Sequence, residues 1–137
     1  MDIHYQDYII SDDKEKIQPD RVQALLKTSY WAKDRTKETI EKSIANSLCF
    51  GVFKDGIQIG FARCVTDYAT AYWLCDVIVD SEYRKLGLGK ALMDMVVHSE
   101  HLRGCSGILG TSNAHGLYER YGFKVSNGNM MRRKPDA

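Results

Sequence analysis

Apolar positions along the chain recur with two different periods, and the switch between them marks the elements. Ile3 to Ile10 alternates as one half-buried strand that Ser11-Asp12-Asp13 brings to an end. Behind Pro19, with Asp20 as candidate N-cap, Val22, Leu25, Leu26 and Tyr30 fall at helical spacing. Trp31-Ala32-Lys33-Asp34-Arg35 breaks that helix, and Ile40, Ile44 and Leu48 mark a second one after Thr36. Cys49–Phe53 and Ile57–Val65 read as strands joined through Lys54-Asp55-Gly56, a strong hairpin signal. Thr66–Thr70 connects to a fourth strand, Ala71–Val79, aromatic at its start and aliphatic at its end. A helix from Gly87 to about His98 follows, with Leu88, Leu92, Met95 and Val96 on its inner face. Gly107–Thr111 is a short apolar strand and Ala114–Tyr121 a short helix. Phe123–Val125 and Met130–Arg132 complete the pattern as strands across an Asn127-Gly128 turn. The sum is an α/β fold with a mixed, mainly antiparallel sheet, expected as one domain over residues 1–137 because no repeat, linker or low-complexity tract divides it.

Composition narrows the function classes without choosing one. Hydrophobic residues at 44% and charged residues at 27% are ordinary for a globular domain. A net charge of +1 produces no field that calls for nucleic acid or an anionic membrane. No apolar run approaches the length of a membrane span, and Met1-Asp2-Ile3-His4-Tyr5 lacks the regions of a signal peptide, so the expected location is the cytoplasm. Cys49, Cys64, Cys75 and Cys105 stand singly, three of them in apolar strand-like runs, as reduced small hydrophobes do. His98, His101 and Cys105 lack a fourth ligand at a usual spacing, so no metal is expected.

The chemistry concentrates in one stretch. Val77-Ile78-Val79 leads through a turn into Arg84-Lys85-Leu86-Gly87-Leu88-Gly89-Lys90, which opens a helix. Glycines let a bulky ligand approach the backbone, and the N–H groups of a first helical turn have no intrahelical acceptor, so the loop is suited to phosphate. Arg84, Lys85 and Lys90 add full positive charge. The dinucleotide fingerprint fails at Leu92, where it needs glycine, and a P-loop fails at Arg84 and Ala91. What remains, Arg-x-x-Gly-x-Gly after a hydrophobic strand, resembles the pyrophosphate-binding motif of the GNAT N-acetyltransferase superfamily. Leu117-Tyr118-Glu119-Arg120-Tyr121-Gly122-Phe123 resembles that family's closing Leu-Tyr-x-x-x-Gly-Phe signature.

The resemblance implies acetyl-coenzyme A as co-substrate, bound where the fourth and fifth strands splay apart. Its pantetheine arm would pair with the backbone of Val77, Ile78 and Val79, and its pyrophosphate would lie on Arg84, Lys85, Leu86, Gly87, Leu88, Gly89 and Lys90. A primary amine of a small molecule or peptide would attack the thioester directly, and Tyr118 aligns with the family tyrosine that protonates the leaving thiolate. Some relatives use a Glu base where this chain has Trp73, which leaves Asp76 and Asp67 as the nearest acidic candidates. Many relatives carry Asn where this chain has Thr111, so Asn113 and His115 receive no role by analogy. Tyr30, Trp31, Tyr68, Tyr72 and Trp73 are candidates for an aromatic acceptor wall, with Asp67 or Asp76 to meet an ammonium. Relatives often form dimers, so the resemblance allows a homodimer, although no exposed apolar stripe for one can be read in the sequence. The alternative is a coenzyme A-binding sensor that kept the glycine loop and lost transfer; Trp73 favours it and Tyr118 opposes it.

Overall fold

The computed structural model describes residues 1–126 and 128–136. Its six-stranded sheet runs in sequence order: β1 (Asp2–Tyr5), β2 (Tyr8–Ser11), β3 (Leu48–Lys54), β4 (Ile57–Thr66), β5 (Ala71–Val79) and β6 (Ser106–Ile108). Every neighbouring pair is antiparallel except β5 and β6, which run parallel, giving the mixed α/β architecture expected. Helices α1 (Pro19–Leu26) and α2 (Lys37–Ala45) cover one face. On the other lies α3 (Leu88–Val97), which carries the chain from β5 to β6, and the short α4 (His115–Glu119) follows.

Two cores follow from that layering. Val22, Leu25 and Leu26 of α1 and Ile40 and Ile44 of α2 bury against Cys49, Phe53, Phe61 and Ile78. Leu88, Leu92, Met93 and Val96 of α3 bury against Ile10, Phe50, Val52, Ala62, Cys64 and Leu74. The two sets alternate along β3 and β4, as side chains on a pleated strand must. Gln58 is fully buried, yet its amide is satisfied: Oε1 accepts from the Gln18 N–H at 2.8 Å and Nε2 donates to the Gly60 carbonyl at 2.9 Å. That pairing fixes the entrance to α1 against β4.

Four expectations are corrected. The first strand is a hairpin: Tyr5 pairs with Tyr8, and Gln6 turns the chain at φ 53°. Alternation continues through so tight a turn, which is why the pattern reads as one strand. Helix α1 is capped at Gln18 and ends at Leu26, where the Thr28 and Ser29 hydroxyls donate back to the carbonyls of Leu25 and Leu26, so Tyr30 lies beyond it. Neither Phe123–Val125 nor Met130–Arg132 forms a strand. Phe123 packs on the α3-side core, but Val125, Met130 and Met131 are exposed and have no apolar face to line. The expected turn at Asn127 lies outside the described residues. The last strand is also shorter than the apolar run Gly107–Thr111 suggests, ending at Ile108.

Candidate active site

Strand β5 positions the site because its two edges are used differently. One edge pairs with β4 from Tyr72 to Val79, whereas the other meets β6 only at Ala71, Tyr72 and Trp73. Beyond Trp73 the strands part, and the backbone from Leu74 to Val79 faces a gap with no strand on that side. Between Phe61 and Arg63 the β4–β5 register shifts. The extra residue belongs to β5, where Asp76 adopts φ 54°, a left-handed conformation that Asp tolerates better than most side chains. The bulge reverses the alternation. Leu74 before it and Val77 and Val79 after it face the α3-side core, while Ile78 joins the α1–α2 side.

The glycine loop lies at the end of β5. Arg84 Nε donates to the Val79 carbonyl at 3.2 Å, and Lys85 at φ 65° and Gly87 at φ 83° coil the backbone into α3. Gly87 is the N-cap and offers no side-chain acceptor, so the first-turn N–H groups of Leu88, Gly89 and Lys90 point out of the helix uncapped. A Cβ at Gly89 would meet nothing within 4 Å, whereas one at Gly87 would lie 2.5 Å from the Tyr5 hydroxyl. Tyr5 braces the loop from the β1–β2 hairpin by donating to the Leu86 carbonyl at 3.1 Å. The result is an open, positively polarised cradle that suits an anion, with basic residues on either side.

Tyr118 stands on α4 beside a cavity of about 600 Å³ that Tyr72, Ile108, Thr111, His115 and Phe123 also line. Burial pushes its phenol above the ordinary tyrosine value, and the nearby Tyr30 adds to the shift. The α4 segment is tied to the cradle because Tyr121 donates its hydroxyl to the Lys90 carbonyl at 3.0 Å. Tyr72 lies buried on this α3 side of the sheet.

Trp31 and Asp76 meet on the opposite face. Asp76, buried at 6% exposure, accepts from Trp31 Nε1 at 3.1 Å, Arg35 Nη1 at 2.7 Å and Arg63 Nε at 3.0 Å. The proposed aromatic wall therefore divides, with Trp31 and Tyr72 on different sides of β5. Asp67 lies apart in the exposed β4–β5 turn. Its carboxylate is held well below the usual range by the Thr70 N–H and hydroxyl and the Ala69 N–H, all donated by its own loop. Arg35, Arg63 and the 2.6 Å contact between the hydroxyls of Tyr30 and Ser112 are structural features of this region that the sequence pattern does not reveal. Arg63 had one legible signal, a charged residue inside an otherwise apolar central strand.

The sequence profile of the Acetyltransferase (GNAT) domain matches residues 45–125. This chain belongs to the GNAT acetyltransferase family. A crystal structure from Xanthomonas campestris pv. campestris, provisionally assigned as a GNAT acetyltransferase, is similar at 40% identity and TM-score 0.88, covering 93% of each chain. A Gibberella zeae protein with a provisional acetyltransferase name is 25% identical over 72% of this chain and 66% of its own length. GCN5-related N-acetyltransferase 2, chloroplastic, of Arabidopsis thaliana is 37% identical over 49% of this chain, which spans only 27% of that protein. An aminoglycoside 6'-N-acetyltransferase crystallised with coenzyme A shares the GNAT fold at TM-score 0.63 and 20% identity, covering 74% of this chain and 61% of that one. Among the described residues no group of three or more His, Cys, Asp or Glu is placed to hold a metal, and no helix is long and apolar enough to cross a membrane.

Proposed function

We propose that this GNAT protein is an N-acetyltransferase that moves an acetyl group from acetyl-coenzyme A to a primary amine in a ternary complex. The observation that carries the reading is the continuity of the uncapped α3 cradle with the free edge of β5. Together they suit a ligand with a pyrophosphate at one end and an extended, amide-bearing arm. The open space at Gly89 supports that fit, since any Cβ there would project into the ligand's path rather than into the protein. When bound, acetyl-coenzyme A supplies the activated thioester carbonyl.

The chain's own residues then have three tasks. Val77, Ile78 and Val79 orient the arm through their backbone, while the first turn of α3, with Arg84, Lys85 and Lys90, holds the phosphates. Tyr118 keeps its proton at neutral pH, because its phenol is raised above about 10, and can give it to the sulfur as the carbon–sulfur bond breaks. The amine's own proton passes to water. Asp76 already accepts three hydrogen bonds, two of them from guanidinium groups, and Asp67 is engaged by its own turn, so neither is poised to take it. Asp76 thereby changes from candidate base to anchor of the α1–α2 connection on the bulge.

Thiol release from acetyl-coenzyme A, followed across an amine panel, tests this reading. Release that depends on one amine class and on Tyr118 is expected. Binding of coenzyme A with no release against any amine would instead favour the non-catalytic sensor.

A further inference from the structure

The face of the sheet opposite α3 is left uncovered at the mouth of the gap. Val65, Trp73 and Ile108 are directly paired across β4, β5 and β6 and form an exposed apolar row. Trp73 is 54% exposed. Trp31, 44% exposed, and Tyr30 extend this surface from the α1–α2 connection, packed edge to face at 5.2 Å. Tyr30 reaches Ser112 on the far side of the gap and so walls the row at one end.

Charge stands beside the row. Arg35 and Arg63 both bond to the same oxygen, Oδ2, of Asp76, while Oδ1 takes Trp31. Two guanidiniums facing one carboxylate leave one positive charge in excess. Arg63 spends a second nitrogen on Ser47 Oγ at 3.1 Å and its side chain is 12% exposed. Arg35 commits only Nη1, is 24% exposed, and keeps donors free for a planar anion. Arg63 is the cross-strand partner of Cys75, which lies two residues after Trp73 on the same strand face, so the arginine pair stands beside the apolar row.

Building on the proposed transferase reading, we infer that the acceptor is an amine carrying a carboxylate and an apolar or aromatic body, of amino-acid type. Arg35 receives the carboxylate, the row of Val65, Trp73 and Ile108 with Trp31 receives the body, and the amine lies over the gap where β6 leaves β5. A guanidinium at the rim of an aromatic floor discriminates an acid from its isosteric amide, because only the acid neutralises the excess charge.

Trp31 and Trp73 are the only tryptophans of the chain, so indole fluorescence reports the site directly. Protein saturated with coenzyme A is titrated with N-acetylphenylalanine and with N-acetylphenylalaninamide. The acid is expected to change the emission with a dissociation constant about tenfold or more below that of the amide. Arg35→Gln should bring the two constants together, since Asp76 then keeps a single guanidinium partner and no charge is in excess. Equal affinity of acid and amide in the unmodified protein would overturn the proposal, as would an absence of response to the acid. Emission that follows protein concentration instead of ligand would assign the row to a second copy and also overturn it. Coenzyme A binding is measured separately by calorimetry, so loss of the acetyltransferase reading and loss of this inference give different results.

Discussion

At the residue scale, Asp76 and Tyr118 carry the heaviest and most separable roles. Asp76 joins β5, β4 and the α1–α2 connection through three hydrogen bonds while its backbone sits at φ 54°. Asp76→Ala would leave the nearly buried Arg63 without its carboxylate and should cost about 3 kcal/mol in urea unfolding, the scale for breaking one side of a buried pair. Tyr118→Phe should bind coenzyme A as before and lower turnover by about 10²-fold or more. The pH dependence of turnover adds a sign. Because burial raises this phenol, the loss of rate on the alkaline side should begin only above the ordinary value of about 10 and should vanish in the Phe variant. Tyr118 was legible because its flanking motif names it. The partners of Asp76 were not, since Trp31, Arg35 and Arg63 come from distant segments and only the bulge aims them at one carboxylate.

At the scale of elements, the turn from β5 into α3 separates folding from binding. Gly87 has φ 83° and lacks room for a Cβ against Tyr5, so Gly87→Val should destabilise the fold by more than 1 kcal/mol in thermal or urea unfolding. Gly89 has open space, so Gly89→Val should fold normally and lose coenzyme A binding in calorimetry. The loop could be read from the sequence because glycine spacing and a following amphipathic run leave little else to form. The β1–β2 hairpin could not, because a two-residue turn at Gln6 and Asp7 hides within an alternating run. The missing carboxyl-terminal strands fail for the opposite reason. Their apolar residues have strand-like spacing, but Val125, Met130 and Met131 gain no burial to reward pairing.

Taken as a whole molecule, the sheet separates two faces with different tasks: the cradle, α3 and Tyr118 on one, the α1–α2 connection with Asp76 and the tryptophans on the other. The gap after Trp73 is where they communicate. The helices on both faces also bury the central strands, and burial pushes the Cys49 and Cys64 thiols up to about 11 and about 12. At pH 8 a chromogenic disulfide reagent should therefore leave both unmodified in the folded protein and react with them only after denaturation. Rapid labelling of either in the native state would mean that the central strands open far more readily than this packing allows.

The most direct test of the cofactor assignment is calorimetric titration of the purified chain with acetyl-coenzyme A, coenzyme A, NAD and ATP. Saturable binding of the two coenzyme A forms, abolished in Gly89→Val and retained in Tyr118→Phe, is the predicted result. Binding of neither form, or undiminished binding by Gly89→Val, would contradict the assignment of the α3 cradle.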